Sequence, residues 1–320
     1  MEEEAIGIEE VVAVGYGTVR KSDLTGSVAS VKSEEISAYP AIGMVQSLQG
    51  RAAGVMVQSN NGEPGSSYKV RIRGASSVNS SSDPLFVVDG FPGGTLPPSE
   101  DIESVEVLKD ASATAIYGSR GANGVILVTT KHGKARKTTI ELKSSYSLQN
   151  VINKLDLLET PDYISYVNDV TPGLLNPDNS YPNTDWQDNV FRNGGIQNYQ
   201  LSLSGGNENT RYYVSGIVYD QKGIVVNSKY KRYSLTSNLN IQAAKNLEVG
   251  VSLFAARSIS DGIISQEWSG GGGQTGVMTS TVLTEPTVPL YNEDGSYGIS
   301  DLAGQDRDNP VTIAKELSIN

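Results

Sequence analysis

Two kinds of hydrophobic pattern divide this chain, and they change over near residues 131–137. Past that point, segments of about ten residues alternate strictly between apolar and polar positions. In 139–148, Ile140, Leu142, Tyr146 and Leu148 share one face, and Glu141, Lys143, Ser145 and Ser147 share the other. From Ile196 onward, Tyr199, Leu201 and Leu203 oppose Asn198, Gln200, Ser202 and Ser204. In 230–242, Tyr233, Leu235, Leu239 and Ile241 oppose Arg232, Ser234, Thr236, Asn238, Asn240 and Gln242. Leu247, Val249, Val251 and Leu253 oppose Glu248, Gly250 and Ser252. A period of two predicts half-buried antiparallel strands. The weakest case is 211–220, with Tyr and Val on both faces.

The connections alternate in length as well. A stretch of 47 residues (149–195) follows the first strand, then the short link Gly206-Asn207-Glu208-Asn209. A link of about ten residues comes next, then Ala243-Ala244-Lys245-Asn246, and everything from Ser258 onward is long. Outer-membrane barrels have this rhythm of short turns and long loops, with about 9–11 residues per tilted strand. A soluble β-sandwich shares the alternation without needing the rhythm, so the pattern alone leaves both open.

The first half predicts a compact α+β unit. Met44-Val45-Gln46-Ser47-Leu48 reads as a short helix stopped by Gly50, and Val55-Met56-Val57 as a strand. Lys69-Val70-Arg71-Ile72-Arg73 sets two apolar side chains against three cations. Leu85-Phe86-Val87-Val88 is a buried strand ended by Asp89-Gly90, a turn signal. Asp110 is placed to cap a helix over 111–117 with Gly118 beyond its end, and Val125-Ile126-Leu127-Val128 is a second buried strand.

Composition narrows the chemistry. The 320 residues contain no Cys and one His, which removes disulfide scaffolds, thiolate metal sites, cysteine nucleophiles and most histidine-cluster metal sites. The net charge of −11 argues against a nucleic-acid partner, since phosphate neutralisation needs a basic surface. The charge is localised. Residues 149–195 hold seven acids and two bases and 258–320 hold nine and two, or −5 and −7, leaving +1 for the rest. Such a field at the two long connections disfavours polyanionic cargo, although acids gathering in solvated loops explains the distribution equally well. No apolar run reaches the roughly 20 residues of a membrane-spanning helix. Met1-Glu2-Glu3-Glu4 has the wrong charge for a signal peptide, which fits a cytosolic chain and equally a secreted or outer-membrane one whose signal is absent; a piece of a longer chain is expected.

Nucleotide motifs fail on inspection. Gly15-Tyr16-Gly17 is followed by Arg20 where a dinucleotide fingerprint needs Gly, and Gly133-Lys134 is preceded by Val128 where a phosphate loop needs Gly. Gly118, Gly121 and Gly124 read as turn positions, and His132 as solvated surface. Asp294-Gly295 and Asp306-Arg307-Asp308-Asn309 lack the spacing of a calcium loop and read as turns. Trp186, Trp268 and 270–273 fall in the long connections, where a Trp either stacks on a sugar or anchors its loop. No catalytic residue, cofactor or metal site emerges.

Several runs, in order, carry a resemblance. They are Glu10-Val11-Val12-Ala13-Val14-Gly15-Tyr16-Gly17-Thr18 with Asp23-Leu24-Thr25-Gly26-Ser27-Val28; Leu48-Gln49-Gly50-Arg51-Ala52-Ala53-Gly54-Val55; Arg71-Ile72-Arg73-Gly74; and Pro84-Leu85-Phe86-Val87-Val88-Asp89-Gly90. The stretch from Asp101-Ile102-Glu103-Ser104 through Lys109-Asp110 to Tyr117-Gly118-Ser119-Arg120-Gly121-Ala122-Asn123-Gly124 completes the series. Together they resemble the SusC/RagA-type TonB-dependent outer-membrane transporters over about residues 9–260.

The resemblance implies an α+β plug domain followed by antiparallel transmembrane β-barrel strands, part of a plugged 22-stranded barrel. It divides the chain into a TonB-box segment (1–21), a plug (22–135) and an incomplete set of barrel strands and outer loops (136–320), about five strands that cannot close. It further implies TonB as the energy-coupling partner, a SusD-like surface lipoprotein lid, outer-membrane lipid, and a glycan or peptide cargo imported without covalent chemistry. Glu10, Val11, Val12, Ala13 and Val14 match the TonB box, supplying the unpaired, β-prone run that strand addition needs; the alternative is an ordinary first strand. Arg71, Arg73, Gly74, Asp89, Gly90, Lys109, Asp110, Tyr117, Gly118, Arg120 and Gly124 are the plug-motif residues. The charged ones are candidates for ion pairs to the barrel wall or within the plug, weak enough in a wet lumen for reversible release. The competing expectation is a soluble carbohydrate- or protein-binding β-rich module.

Overall fold

The computed structural model describes residues 11–14, 17–20, 28–36, 43–59, 62–66, 68–74, 82–110, 114–177, 179–262, 276–300 and 307–316. Val11–Val14 (β1) and Gly17–Arg20 (β2) pair as an antiparallel ribbon, Val11 opposite Arg20. Val11 to Val14 is thus extended, as expected, but one of its edges is used by β2 rather than left open; Glu10 lies outside the described residues.

The α+β unit is built on a five-stranded mixed sheet. Its strands are Val28–Lys32 (β3), Leu85–Val88 (β6), Phe91–Pro92 (β7), Ile102–Leu108 (β8) and Val125–Thr130 (β9), in the order β3-β8-β9-β6-β7. Only β6 and β9 run parallel. Val55–Ser59 (β4) and Tyr68–Ile72 (β5) form a separate hairpin over one face, with the short helices Ser33–Ile36 (α1) and Met44–Ser47 (α2). The apolar runs supply the core: Val31, Ile36, Leu48, Val70, Ile72, Val105, Val107, Ile126 and Val128 are buried together.

The glycine turns explain themselves. Val88 pairs with Phe91, so Asp89 and Gly90 are the two central residues of the turn, both left-handed at φ 47° and 87°. A two-residue hairpin with both φ positive favours Asp-Gly. Gly124, at φ 93°, lies so close to Ile72 that a β-carbon would sit 2.7 Å from Cδ1. The expected helix over 111–117 is corrected: residues 111–113 lie outside the described set, and Ala115–Gly121 is a tighter 3-10 stretch. Gly118 sits inside that stretch, at φ 59° and ψ −146°, instead of closing a helix.

The alternating segments form the second body, a five-stranded antiparallel sheet in chain order. Its strands are Thr139–Gln149 (β10), Gly194–Gly206 (β11), Thr210–Lys222 (β12), Lys229–Ala244 (β13) and Leu247–Asp261 (β14). Neighbouring strands are joined at one end by the short links 207–209 and 245–246. At the other end the connections are 150–193 and 223–228, the latter shorter than the ten residues expected. Within the long connections, Thr160–Val170 (α3), Trp186–Val190 (α4), Val277–Leu283 (α5) and Pro310–Glu316 (α6) are helical. Trp186, Val190, Val225, Val277, Val288, Val311 and Ile313 form a core of their own there. Trp186 is buried and its indole N–H donates to the Glu285 carbonyl at 2.9 Å, so it anchors its loop; Trp268 and 270–273 lie outside the described residues.

Candidate functional site

The burial of the second sheet is inverted relative to a soluble domain. The apolar face points outward: Leu142 is 73% exposed, and Ile140, Tyr199, Leu201, Leu235, Val251 and Leu253 are exposed with it. Register lines Leu142, Leu201, Gly216, Leu235 and Ala255 into one outward row across all five strands. The polar face is the buried one, with Asn198, Gln200, Ser202, Ser215, Ser234, Thr236 and Asn238 turned toward the α+β unit. A soluble sandwich would bury the other face; a lipid-facing barrel needs this one. The mixed pattern of β12 has its reason here, since Tyr213, Ile217 and Tyr219 are on the inner face and are buried, while Val214 and Val218 face outward.

The α+β unit sits against that inner face as a plug, and its firmest contact is a carboxylate. Asp101 ends the 3-10 turn Ser99–Asp101 and is 1% exposed. Gln200 Nε2 and Tyr213 O–H donate to its Oδ1 at 3.0 and 2.9 Å, and Thr236 O–H donates to Oδ2 at 2.6 Å. These donors come from β11, β12 and β13, so one plug side chain binds three adjacent wall strands. Beside it, Asn198 Nδ2 donates to Glu100 Oε1. Lys131 braces the turn from the plug side, Nζ donating to the Glu100 carbonyl at 2.6 Å and its backbone N–H to the Asp101 carbonyl at 2.8 Å. Burial, with Lys143 assisting, pulls the Lys131 ammonium below its ordinary range; Asp101, Glu141 and Glu100 oppose that pull.

A second contact lies further along β13. Asn238 Nδ2 donates at 2.9 Å to both Thr130 Oγ1 and the Lys131 carbonyl. Thr130 in turn donates to Asp89, backbone N–H to Oδ1 at 2.9 Å and hydroxyl to Oδ2 at 2.7 Å. His132 corrects the solvated-surface expectation: its Nε2 stands 3.9 Å from Asp89 Oδ1 and the ring is two-thirds covered. The Asp89 carboxylate raises the His132 imidazole above its usual value against the effect of burial. For Asp89 itself, burial works upward, but His132 and the two bonds from Thr130 outweigh it and hold the carboxyl below the usual range.

The plug-motif residues chosen from sequence fall mostly inside the plug. Arg73 pairs with Asp110, joining the end of β5 to the segment after β8. Arg73 and Gly74 are successive left-handed residues at φ 58° and 97°. Arg71 is on the exposed face of β5, Lys109 follows β8, and Arg120 is exposed in the 3-10 stretch. Tyr117 packs with Val87, Leu108, Val125 and Leu127. Wall contacts are made instead by Leu96, Glu100, Asp101, Thr130 and Lys131, to which sequence reasoning gave no role. Asp101 opens the Asp-Ile-Glu run of the plug signature, which was the available signal.

Residues 20–125 match the TonB-dependent receptor plug domain. The fold matches the RagAB peptide importer in its open-open state with a TM-score of 0.79 at 28% identity, covering 96% of this chain and 38% of that one. The chain belongs to the TonB-dependent receptors of SusC/RagA type. It is 51% identical over 310 residues to TonB-dependent receptor P3 of Formosa agariphila, covering 97% of this chain. It is 36% identical over 302 residues to TonB-dependent receptor SusC of Bacteroides thetaiotaomicron, covering 91% of this chain. The receptor chain spans about a third of the length of these relatives, 31% and 29%. The family sits in the outer membrane and is not enzymatic. Among the described residues no cluster of His, Cys, Asp or Glu is arranged to hold a metal ion.

Proposed function

We propose that this receptor chain supplies the plug and five wall strands of an outer-membrane importer for an oligomeric nutrient, a glycan or a peptide. Its cargo is held on the outer side under a SusD-like lipoprotein lid, and energised TonB draws on the segment Glu10 to Val14 to displace the plug. The observation that carries this reading is the inverted sheet, apolar outward and polar inward, with Asp101 of the plug bonded to three of its strands.

The chemistry of that contact suits a plug that must leave and return. Burying a carboxylate is costly unless its lone pairs are satisfied, and here neutral amide and hydroxyl groups satisfy them. Once the plug moves, Asp101 regains its hydration, so the work of separation is well below the summed strength of the bonds. The strand pairing of β1 with β2 is compatible with coupling, since a two-stranded ribbon is marginal in water and can open to another strand. The test is deletion of 10–14 from the full-length receptor. Uptake is expected to be lost while cargo binding at the cell surface persists; uptake that survives places the coupling segment elsewhere.

A further inference from the structure

Toward the long connections the plug and the wall part, leaving a cavity of about 550 Å³ between them. Tyr68 and Lys69 of β5, Asp83, and Phe86 of β6 line it from the plug, and Tyr230 and Arg232 of β13 from the wall. Its size falls within the range of about 300–1,000 Å³ usual for ligand pockets. The strand sets its depth. Arg232 and Thr236, the donor to Asp101, are on the same inner face of β13, with Arg232 nearer the long connections. At about 3.4 Å per residue, the cavity lies roughly 13 Å outward of the Asp101 contact along the strand. The 62–66 loop closes one side, where the Tyr230 ring lies over Gly65 so closely that a β-carbon would overlap it.

The cavity holds two cations, Lys69 and Arg232, against one carboxylate, Asp83, so its formal charge is positive although the chain as a whole is acidic. Arg232 is half-buried, donates from Nη2 to the Leu96 carbonyl at 3.2 Å, and stands 5.9 Å from the centre of the Phe254 ring. It has no carboxylate partner among the described residues, and neither has Lys69. A planar guanidinium in a partly desolvated site favours a carboxylate ligand. The long connections beyond it carry −5 and −7, a field that discourages polyanions. One carboxylate on an otherwise neutral oligomer satisfies both conditions, and Tyr68, Phe86 and Tyr230 give the cavity an aromatic lining for the unit that bears it.

We propose that this cavity binds the carboxylate-bearing end of the imported oligomer, with Arg232 and Lys69 taking the carboxylate and the three aromatic rings packing on the adjoining unit. The proposal rests on the importer reading and names the chemistry of its cargo. A peptide C-terminus and a sugar chain ending in one uronate share that chemistry. The experiment uses the full-length receptor in detergent and calorimetric titration with two matched pairs: penta-alanine against its C-terminal amide, and xylotriose carrying one glucuronate against its methyl ester. In at least one pair the carboxylate form binds tenfold or more tighter than its neutral match, and the pair that responds identifies the source. In the Arg232→Gln, Lys69→Gln double variant that preference falls to threefold or less while the neutral form keeps its affinity; Arg232→Lys, which keeps the charge but not the planar fork, falls between the wild type and the double variant. Equal binding within both pairs, no binding of any probe, or a preference that survives the double variant overturns the proposal. TonB-dependent uptake of labelled probes separates the two levels. Import without carboxylate preference overturns the cavity assignment alone, whereas binding with no TonB-dependent import overturns the importer reading.

Discussion

Asp101 is where the hold between plug and wall can be measured by graded substitution. In Asp101→Asn the side chain keeps one oxygen for Gln200 and Tyr213, and its new amide N–H₂ faces Thr236, whose hydroxyl can rotate to accept. All three bonds survive but lose the charge. A bond to an ionised group contributes about 1.5–3 kcal/mol against about 0.5–1.5 for a neutral one, so the expected loss is about 1 kcal/mol per bond and about 3 in total at most. Asp101→Ala removes the acceptors outright and leaves Tyr213 and Thr236 as donors without them. Gln200 is partly compensated by its second bond, to Ser215 Oγ at 3.0 Å. At about 1–3 kcal/mol for each of these two orphaned groups the loss is roughly 2–6 kcal/mol. The assay is urea titration of plug protease resistance in the full-length receptor, at concentrations that leave the barrel folded. The midpoint should fall in the order wild type, Asn, Ala. Identical midpoints for Asn and Ala, or an Ala variant equal to wild type, would refute the argument that this carboxylate holds the plug.

Two further outcomes follow from the same geometry. Leu201→Arg places a charge in the central outward row, where lipid contact makes it cost about 2–4 kcal/mol near the bilayer midplane. Folding yield of the full-length receptor into bilayers should therefore drop sharply, and an unchanged yield would mean that this face meets water. For His132 and Asp89 the signs run in opposite senses. The raised imidazole adds stability that is complete below its unfolded value near 6.5 and is lost as pH rises through its folded value. The depressed carboxyl adds stability that is present above its unfolded value near 3.8 and is lost as pH falls through its folded value. Amide protection in β6 and β9 should thus be greater at pH 5.5 than at pH 8, and His132→Gln should flatten the difference; a wild-type profile already flat over that interval would count against the pair.

Much of the architecture was legible because strands announce themselves by alternation, as Ile140-Glu141-Leu142-Lys143 does. Periodicity is symmetric, however, and cannot say which face is inside; only the bonds from Gln200 and Thr236 to the plug decide that the polar one is. Where a strand packs against the plug with rings, as β12 does through Tyr213 and Tyr219, the two faces look alike in sequence although the strand is regular. Turn chemistry was readable at Asp89-Gly90 because a two-residue hairpin dictates left-handed residues. Asp101 was not readable as a contact. Its partners lie 99, 112 and 135 residues away, and the two adjacent acids of Ser99-Glu100-Asp101 look like solvated turn chemistry until the wall is in place. His132 was misjudged for the same reason, since Asp89 reaches it only through the parallel pairing of β6 with β9.

The central claim is that these five strands cross a membrane with the long connections outside and the short links inside. Because the chain has no cysteine, single cysteines introduced into the full-length receptor in a background free of others report position directly. Asp162→Cys lies exposed on α3, and Asn207→Cys and Lys245→Cys lie in the two short links. A bulky impermeant maleimide added to intact cells should label Asp162→Cys and reach the other two only after the outer membrane is permeabilised. Equal labelling of all three on intact cells would contradict the membrane barrel, and labelling of Lys245→Cys with none at Asp162→Cys would reverse its orientation.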